Sequence, residues 1–221
     1  MSTAVGLLAG LVLESGARWG EVATDWQMDD ARAILDPAEG DPLLNFLTRA
    51  RSGSKTSDLA GMAAAALIEQ VPAGGRCYAV ASDRDQARLL TDALSGFATR
   101  TPGLSGAISV DRYSATTPTG ARLEIVPADA ASSFGLRGSL FVVDELSVWP
   151  SANRDVWVSI LSAVPKVPGA RLVVLPVPVI PPIGPSRSGS VHGCHPLGVC
   201  MRLVARCRGS IRRRWSSRRP C

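Results

Sequence analysis

Five short runs of largely consecutive apolar residues constrain the fold of this 221-residue chain more than any other feature. Buried strands of a parallel sheet are covered on both faces, so they show apolar runs rather than strict alternation. The runs are NFLTR at 45–49, CYAVAS at 77–82, ARLEIVPA at 121–128, SLFVVDE at 139–145 and ARLVVLP at 170–176. We therefore predict about five core strands in a mainly parallel sheet.

Helical patterns separate several of these runs. Residues 57–70 are apolar nearly all round, which indicates a buried helix. Residues 82–97 carry one apolar stripe, and residues 153–164 carry another that ends at Pro165. Strands that alternate with helices predict an α/β three-layer sandwich, and the length suits one such domain with a small extension.

The charge distribution divides the chain near Leu175. Residues 1–175 hold 15 Lys and Arg and all 19 Asp and Glu, a net charge of −4, whereas residues 176–221 hold nine Arg and no acid. Both His and four of the five Cys also lie in the second part. We predict one domain over 1–175 and an irregular basic tail over 176–221, so the basic balance says little about what the domain binds.

The single cysteine of the domain, Cys77, argues against a disulfide framework and for a reducing cytoplasm. The first 16 residues include a short apolar run, but no basic segment precedes it and it is too short to span a bilayer. We expect a cytoplasmic protein of a bacterial host with no membrane partner.

The stretch RARSGSKTSDLAG, residues 49–61, lies between the first predicted strand and the first predicted helix. It departs from the phosphate-binding pattern GxxxxGK[ST], because Arg49 and Ser54 stand where that pattern has glycine. A loop rich in serine and glycine ahead of a helix is the alternative interpretation. The lysine and threonine of the pattern are nevertheless present.

A phosphate cradle needs backbone N–H groups that point inward at a helix N-terminus, where the helix dipole also favours an anion. Ser52, Gly53 and Ser54 are small enough to form such a cradle. Lys55 would then reach the β- and γ-phosphates of ATP, and Thr56 would ligate Mg²⁺.

The fourth apolar run ends in two adjacent carboxylates, Asp144 and Glu145. Charges at the end of a buried strand cost desolvation unless they serve a purpose, although a strand that simply ends at the surface is the alternative. Asp144 is suited to hold Mg²⁺, and Glu145 to activate a water. Together with Lys55, 89 residues earlier, the pair predicts a P-loop NTPase of the RecA/ASCE-like type that uses ATP and Mg²⁺.

The segments LVLESGARWGEVATDWQ, LTRARSGSKTSDLAG, YAVASDRDQARLL and SLFVVDELSVW resemble the ATPase half of the large terminase subunit of tailed bacteriophages. The resemblance runs from about residue 11 to 175. Members of that family often have arginine in place of the first loop glycine. The resemblance implies a motor, encoded by a phage or prophage, that hydrolyses ATP to push double-stranded DNA into a capsid.

The resemblance also implies roles for further residues and partners. Arg51 matches the loop arginine that contacts the γ-phosphate, Gln27 matches the residue that reads adenine, and Trp26 is placed to stack on the base. Arg137 lies in a basic loop ahead of the acidic strand, as in many relatives. Portal and capsid proteins and a homo-oligomeric ring are the implied partners.

After residue 175 the family has a coupling motif and a nuclease domain, whereas this chain continues into the acid-free tail. We therefore expect no nuclease here, and at most weak ATPase activity without packaging. A zinc site from Cys194, His195, Cys200 and Cys207 lacks paired CxxC spacing. An arginine-rich nucleic-acid-binding arm is a second interpretation.

A shift of reading frame near Leu175 is the third and favoured interpretation of the tail. Permitted codons for residues 176–185, read one base earlier, encode Ser-Ala-Gly-Asp-Pro-Ser-His-Trp-Ala, which has the composition that the coupling position requires. Sequencing the coding DNA tests this hypothesis. Two other functions stay open: a helicase-like ATPase, and a non-enzymatic DNA-binding remnant that uses only the tail.

Overall fold

The computed structural model describes residues 3–48, 54–128, 135–146, 149–175, 191–194 and 200–205. Its helices are α1 (Thr3–Gly10), α2 (Trp19–Val22), α3 (Asp25–Leu35), α4 (Lys55–Glu69), α5 (Arg84–Arg100), α6 (Leu104–Ala107) and α7 (Arg154–Ala163). Its strands are β1 (Leu44–Thr48), β2 (Arg76–Ala81), β3 (Ser109–Asp111), β4 (Ser114–Thr116), β5 (Arg122–Pro127), β6 (Leu140–Asp144), β7 (Arg171–Leu175), β8 (Val191–Cys194) and β9 (Cys200–Ala205).

All strands of the described part belong to one sheet with the order β3-β4-β5-β2-β6-β7-β1-β9-β8. The five central strands β5, β2, β6, β7 and β1 are parallel to one another. These five strands are the five runs that the sequence predicts, and each begins or ends within a few residues of the predicted position. The predicted mainly parallel α/β sheet is thus confirmed.

Helices cover both faces of the sheet. Along β6, Leu140 and Val142 face the side on which α1 to α5 lie, whereas Phe141 and Val143 face α7. The β6 side chains are buried on both faces because the strand lies near the middle of the sheet. This explains the consecutive apolar residues in the sequence and confirms the three-layer arrangement.

The N-terminal helices α1 to α3 form a layer that the sequence does not announce. Helix α1 packs closely on α4, because Gly61 of α4 has no side chain: a Cβ atom there would lie 2.7 Å from Leu8 Cδ1. Trp19 of α2 is almost fully buried in the same cluster. These helices bring the N-terminal residues next to the helix that follows the candidate phosphate loop.

Two strands lie within the tail that the sequence predicts to be irregular. Strand β9 pairs in parallel with β1, and β8 pairs with β9 as an antiparallel hairpin. Without them β1 would be an edge strand with unpaired backbone groups, and such an edge accepts a further strand irrespective of side-chain pattern. No helix in the described ranges is long and apolar enough to cross a membrane.

Candidate active site

The candidate residues meet at one edge of the sheet. Strands β1, β7 and β6 are parallel neighbours, so their carboxyl ends lie at the same edge. Lys55 is the first residue of the helix that follows β1, and Asp144 is the last residue of β6. The Lys55 ammonium is close enough to Asp144 to influence its ionisation. The structure therefore brings together two groups that are 89 residues apart in the chain.

Ser54 precedes helix α4 in a left-handed backbone conformation, with φ of 54° and ψ of 27°. Its carbonyl oxygen accepts the first helical hydrogen bond, from Asp58 N–H at 2.9 Å. Glycine adopts this conformation without strain, which explains why the phosphate-loop pattern has glycine immediately before the lysine. Lys55 and Thr56 occupy the first turn of α4, with half-buried side chains.

The remaining loop residues predicted to contact phosphate, Arg51, Ser52 and Gly53, lie outside the described residues. Their predicted roles stay predictions. The position predicted for a coupling motif, directly after Leu175, also lies outside the described ranges.

Asp144 is only 6% exposed, and its Oδ1 atom is buried with no hydrogen-bond partner in the described part of the chain. Burial, followed by the neighbouring Glu145 carboxylate, raises the pKa of Asp144 to about 6, whereas the Glu145 backbone N–H and the Lys55 ammonium act in the opposite direction. A buried carboxylate oxygen without a partner is costly unless a ligand completes its environment.

The donor set at this edge suits Mg²⁺. Carboxylate and hydroxyl oxygens are the ligands that this ion prefers, and it commonly uses one or two protein groups together with waters and phosphate oxygens. Asp144 and Thr56 supply such groups. The described residues contain no cluster of three or more His, Cys, Asp or Glu that could hold a metal without additional ligands.

Glu145 directly follows β6 and has a φ of 52°. Its backbone N–H donates to the Asp144 carboxylate, and its side chain is half-buried. The indole Nε1–H of Trp149 donates to the Asp144 backbone carbonyl at 3.1 Å. The carboxylate that the sequence predicts to activate water therefore sits on a strained and internally bonded turn.

Asp58, in the second turn of α4, is a residue that the sequence analysis missed. It is 1% exposed, and its two carboxylate oxygens accept hydrogen bonds from Trp19 Nε1 at 2.8 Å and from Gln27 Nε2 at 2.9 Å. A carboxylate so deeply buried is rare unless it is bonded. The aspartate within a predicted buried helix was the available signal, but its partners in α2 and α3 could not be inferred from spacing.

Gln27 is 9% exposed and is held within the protein. Its Oε1 atom accepts from the backbone N–H and the hydroxyl of Thr24, at 3.0 and 2.9 Å, while its amide donates to Asp58. These bonds fix which end of the amide is oxygen. The adenine contact predicted for Gln27 stays a prediction, and so does the stacking predicted for Trp26.

Arg137 lies away from the candidate site. It is partly exposed and precedes β6, so it is near the end of that strand opposite to Asp144. A Cβ atom at the adjacent Gly138 would lie 2.9 Å from the Tyr78 ring and 3.1 Å from the carbonyl oxygen of Arg76, the first residue of β2. The structure does not bring Arg137 together with Lys55 and Asp144.

No family model and no curated protein matches this sequence. Among solved structures, the large terminase of bacteriophage HK97 matches 79% of this chain with a TM-score of 0.69 and 18% sequence identity. This chain has the fold of a large terminase ATPase domain. An arginine variant of the large terminase ATPase domain of Thermus phage P74-26 matches 76% of the chain with a TM-score of 0.51 and 11% identity.

The large terminase of another thermophilic bacteriophage has the same fold over 69% of this chain, with a TM-score of 0.50 and 13% identity. The matched part spans 37% of the HK97 terminase and 38% of this second full-length terminase, but 71% of the P74-26 ATPase domain. The terminase ATPase fold thus accounts for most of this chain, and the chain corresponds to a little over a third of a full-length large terminase.

Proposed function

We propose that this chain binds and hydrolyses ATP as the ATPase domain of a phage DNA-packaging large terminase. The observation that carries the proposal is the buried, unpartnered Oδ1 of Asp144 close to Lys55, at the carboxyl edge of a parallel sheet in the described part of the chain. Ligands of open α/β sheets bind at this edge. The terminase ATPase fold of the neighbouring structures supports the same conclusion.

In the proposed mechanism each residue has a defined task. Lys55 and the N-terminus of α4 neutralise the phosphates of ATP, and Arg51 adds positive charge at the γ-phosphate. Asp144 and Thr56 hold Mg²⁺, which offsets the negative charge of the β- and γ-phosphates. Glu145 accepts a proton from the water that attacks the γ-phosphorus, and the electron pair of the broken bond leaves with ADP.

Double-stranded DNA and portal and capsid proteins belong to the proposed function of the complete motor, as does a homo-oligomeric ring. We propose weak hydrolysis and no packaging for this chain, because the acid-free tail cannot supply the metal-binding carboxylates of a nuclease. Sequencing the coding DNA across codons 170–205 tests whether a shifted reading frame continues into a nuclease domain.

Two substitutions test the ATPase assignment. Glu145→Gln should bind ATP with unchanged affinity but hydrolyse it about 100-fold more slowly, because the general base is lost. Lys55→Ala should weaken ATP binding itself. Binding is measured by titration of a fluorescent ATP analogue and hydrolysis by phosphate release.

Matched controls are available on exposed parts of the chain. Glu69→Gln at the far end of α4 and Lys166→Ala should leave both binding and hydrolysis unchanged. Hydrolysis by Glu145→Gln at the rate of the unaltered protein would refute the role of Glu145. DNA-stimulated hydrolysis accompanied by strand separation would instead indicate a helicase-like ATPase.

A further inference from the structure

The peptide group that joins Asp144 to Glu145 is held at both of its polar atoms. Its carbonyl oxygen accepts the indole N–H of Trp149 at 3.1 Å. Its N–H donates to the Asp144 carboxylate. The orientation of this one peptide plane is therefore determined by two hydrogen bonds, one of which comes from a side chain five residues away.

The orientation of that plane sets where the Glu145 side chain points. Rotation about the next bond is the φ angle of Glu145, which is 52°, a conformation that L-residues other than glycine rarely adopt. Such a conformation persists only where surrounding groups hold it. A peptide plane free to turn would let Glu145 relax toward an ordinary negative φ and move its carboxylate.

Trp149 is itself well anchored. Its backbone N–H donates to the Leu146 carbonyl at 3.2 Å, which closes the turn after β6. Its ring packs against the apolar cluster between the sheet and α7, which includes Phe141 and Ile160. The indole N–H thus extends from a packed ring to the peptide next to Glu145.

We propose that Trp149 is a positioning residue for Glu145: its indole N–H holds the Asp144–Glu145 peptide so that the Glu145 carboxylate faces the attacking water. This inference rests on the proposed ATPase function for its effect on rate, but the contact itself exists independently of that function. A purely packing role for Trp149 makes a different prediction, because packing depends on the ring and not on its N–H.

Trp149→Phe keeps an aromatic ring and removes the N–H. We expect kcat for ATP hydrolysis to fall roughly 10- to 100-fold, as a displaced catalytic group does, with KM for ATP changed less than about twofold. The matched control is Trp157→Phe. Trp157 packs against the same cluster and lies edge-on to Phe46 at 6.5 Å, but makes no hydrogen bond through its indole in the described part of the chain.

Trp157→Phe should leave kcat unchanged. Equal losses of kcat in the two variants, or a kcat for Trp149→Phe like that of the unaltered protein, would overturn the proposal. A fall in kcat for Trp149→Phe alone, with unchanged KM, supports it.

Amide hydrogen exchange at Glu145 provides a readout that needs no activity. Loss of the indole hydrogen bond should speed exchange of this amide about fivefold or more in Trp149→Phe and leave it unchanged in Trp157→Phe. If the unaltered protein binds ATP without hydrolysing it, the proposed function fails, yet the exchange comparison still decides whether Trp149 holds the peptide. Unchanged exchange overturns the proposal even in an active enzyme.

A Trp149→Phe protein that does not fold leaves the unaltered chain as the test. Its indole N–H resonances report solvent exchange directly by NMR. The Trp149 indole proton should exchange more slowly than that of Trp157. Equal or faster exchange of the Trp149 proton would overturn the proposal.

Discussion

Two residues other than glycine have positive φ angles in the described part of the chain, and both belong to the candidate site. Ser54 has φ of 54° and Glu145 has φ of 52°. Each such conformation costs about 1–2 kcal/mol relative to glycine. Strained backbone positions of this kind concentrate at active sites, where surrounding contacts hold them for a functional reason. The two angles thus support the assignment independently of the charges.

Ser54→Gly should raise stability, because glycine occupies the left-handed conformation without steric cost. We expect an increase in the free energy of unfolding of up to about 1 kcal/mol, since glycine also gains entropy in the unfolded chain. Ser57→Gly, three residues later within α4, is the matched control and should lower stability by about 0.5 kcal/mol. Urea denaturation measures both, and a loss of stability in Ser54→Gly would contradict the assigned backbone conformation.

Asp144 should weaken the fold at neutral pH. Its pKa is raised from 3.8 to about 6 by burial first and by Glu145 second. The folded state then binds the proton more tightly than the unfolded state, so stability falls as pH rises from about 4 to 6. Above pH 6 the full cost is present, about 3 kcal/mol from the difference between the two pKa values.

Asp144→Asn should therefore stabilise the protein at pH 8, by up to about 3 kcal/mol, and the gain should shrink as pH is lowered from about 6 towards 4. Thermal unfolding with a chelator and without nucleotide measures it. Asp92→Asn, at an exposed carboxylate of α5, should change stability by less than about 0.5 kcal/mol at either pH. An Asp144→Asn protein no more stable than the unaltered one at pH 8 would contradict the raised pKa.

At the scale of elements, Asp58 joins three helices. It lies in α4, next to the first turn that carries Lys55 and Thr56, and it accepts hydrogen bonds from Trp19 of α2 and Gln27 of α3. The N-terminal layer is therefore tied to the helix behind the phosphate loop by a buried charge. The helix could not shift along its axis without breaking at least one of these bonds.

A double-mutant cycle measures this connection. Asp58→Ala should destabilise by about 2–4 kcal/mol, because two buried donors lose their acceptor. Trp19→Phe should cost less, since it removes one donor and keeps a ring. The effects should not add, with a coupling of about 1–2 kcal/mol between residues that share one hydrogen bond.

Asp58→Ala and Trp157→Phe supply the control pair for this cycle. Trp157 packs on the opposite face of the sheet, so the two effects should add to within about 0.5 kcal/mol. Additive effects of Asp58→Ala and Trp19→Phe would show that the Trp19–Asp58 bond does not contribute to stability.

At the scale of the whole molecule, the negative domain and the positive tail should bind different partners. Residues 206–221 hold seven of the nine tail arginines. Any DNA binding by this chain that depends on these residues should survive Lys55→Ala, disappear when residues 206–221 are removed, and weaken steeply with salt. Electrophoretic mobility shifts at several salt concentrations measure it.

ATP binding by the shortened protein is the control for that experiment, because the truncation leaves every described residue in place. DNA binding that persists without residues 206–221 would show that the domain itself contacts DNA. Such binding would favour the packaging motor over the tail-only remnant.

The sequence alone determined the element order of the sheet core and the acidic pair at the end of β6. Consecutive apolar runs such as those of β6 and β7 follow from burial on both faces, and burial pattern is legible in a linear sequence. Asp144 was found because a charge directly after such a run is conspicuous. Local signals of this kind depend only on residues adjacent in the chain.

Tertiary structure alone decided which distant groups meet and at what cost. Spacing could not reveal that Asp58 accepts from Trp19 and Gln27, that Trp149 bonds the peptide before Glu145, or that β9 continues the sheet beside β1. These contacts join residues through packing of separate elements and pairing at a free strand edge. Their formation depends on three-dimensional geometry that no local pattern encodes.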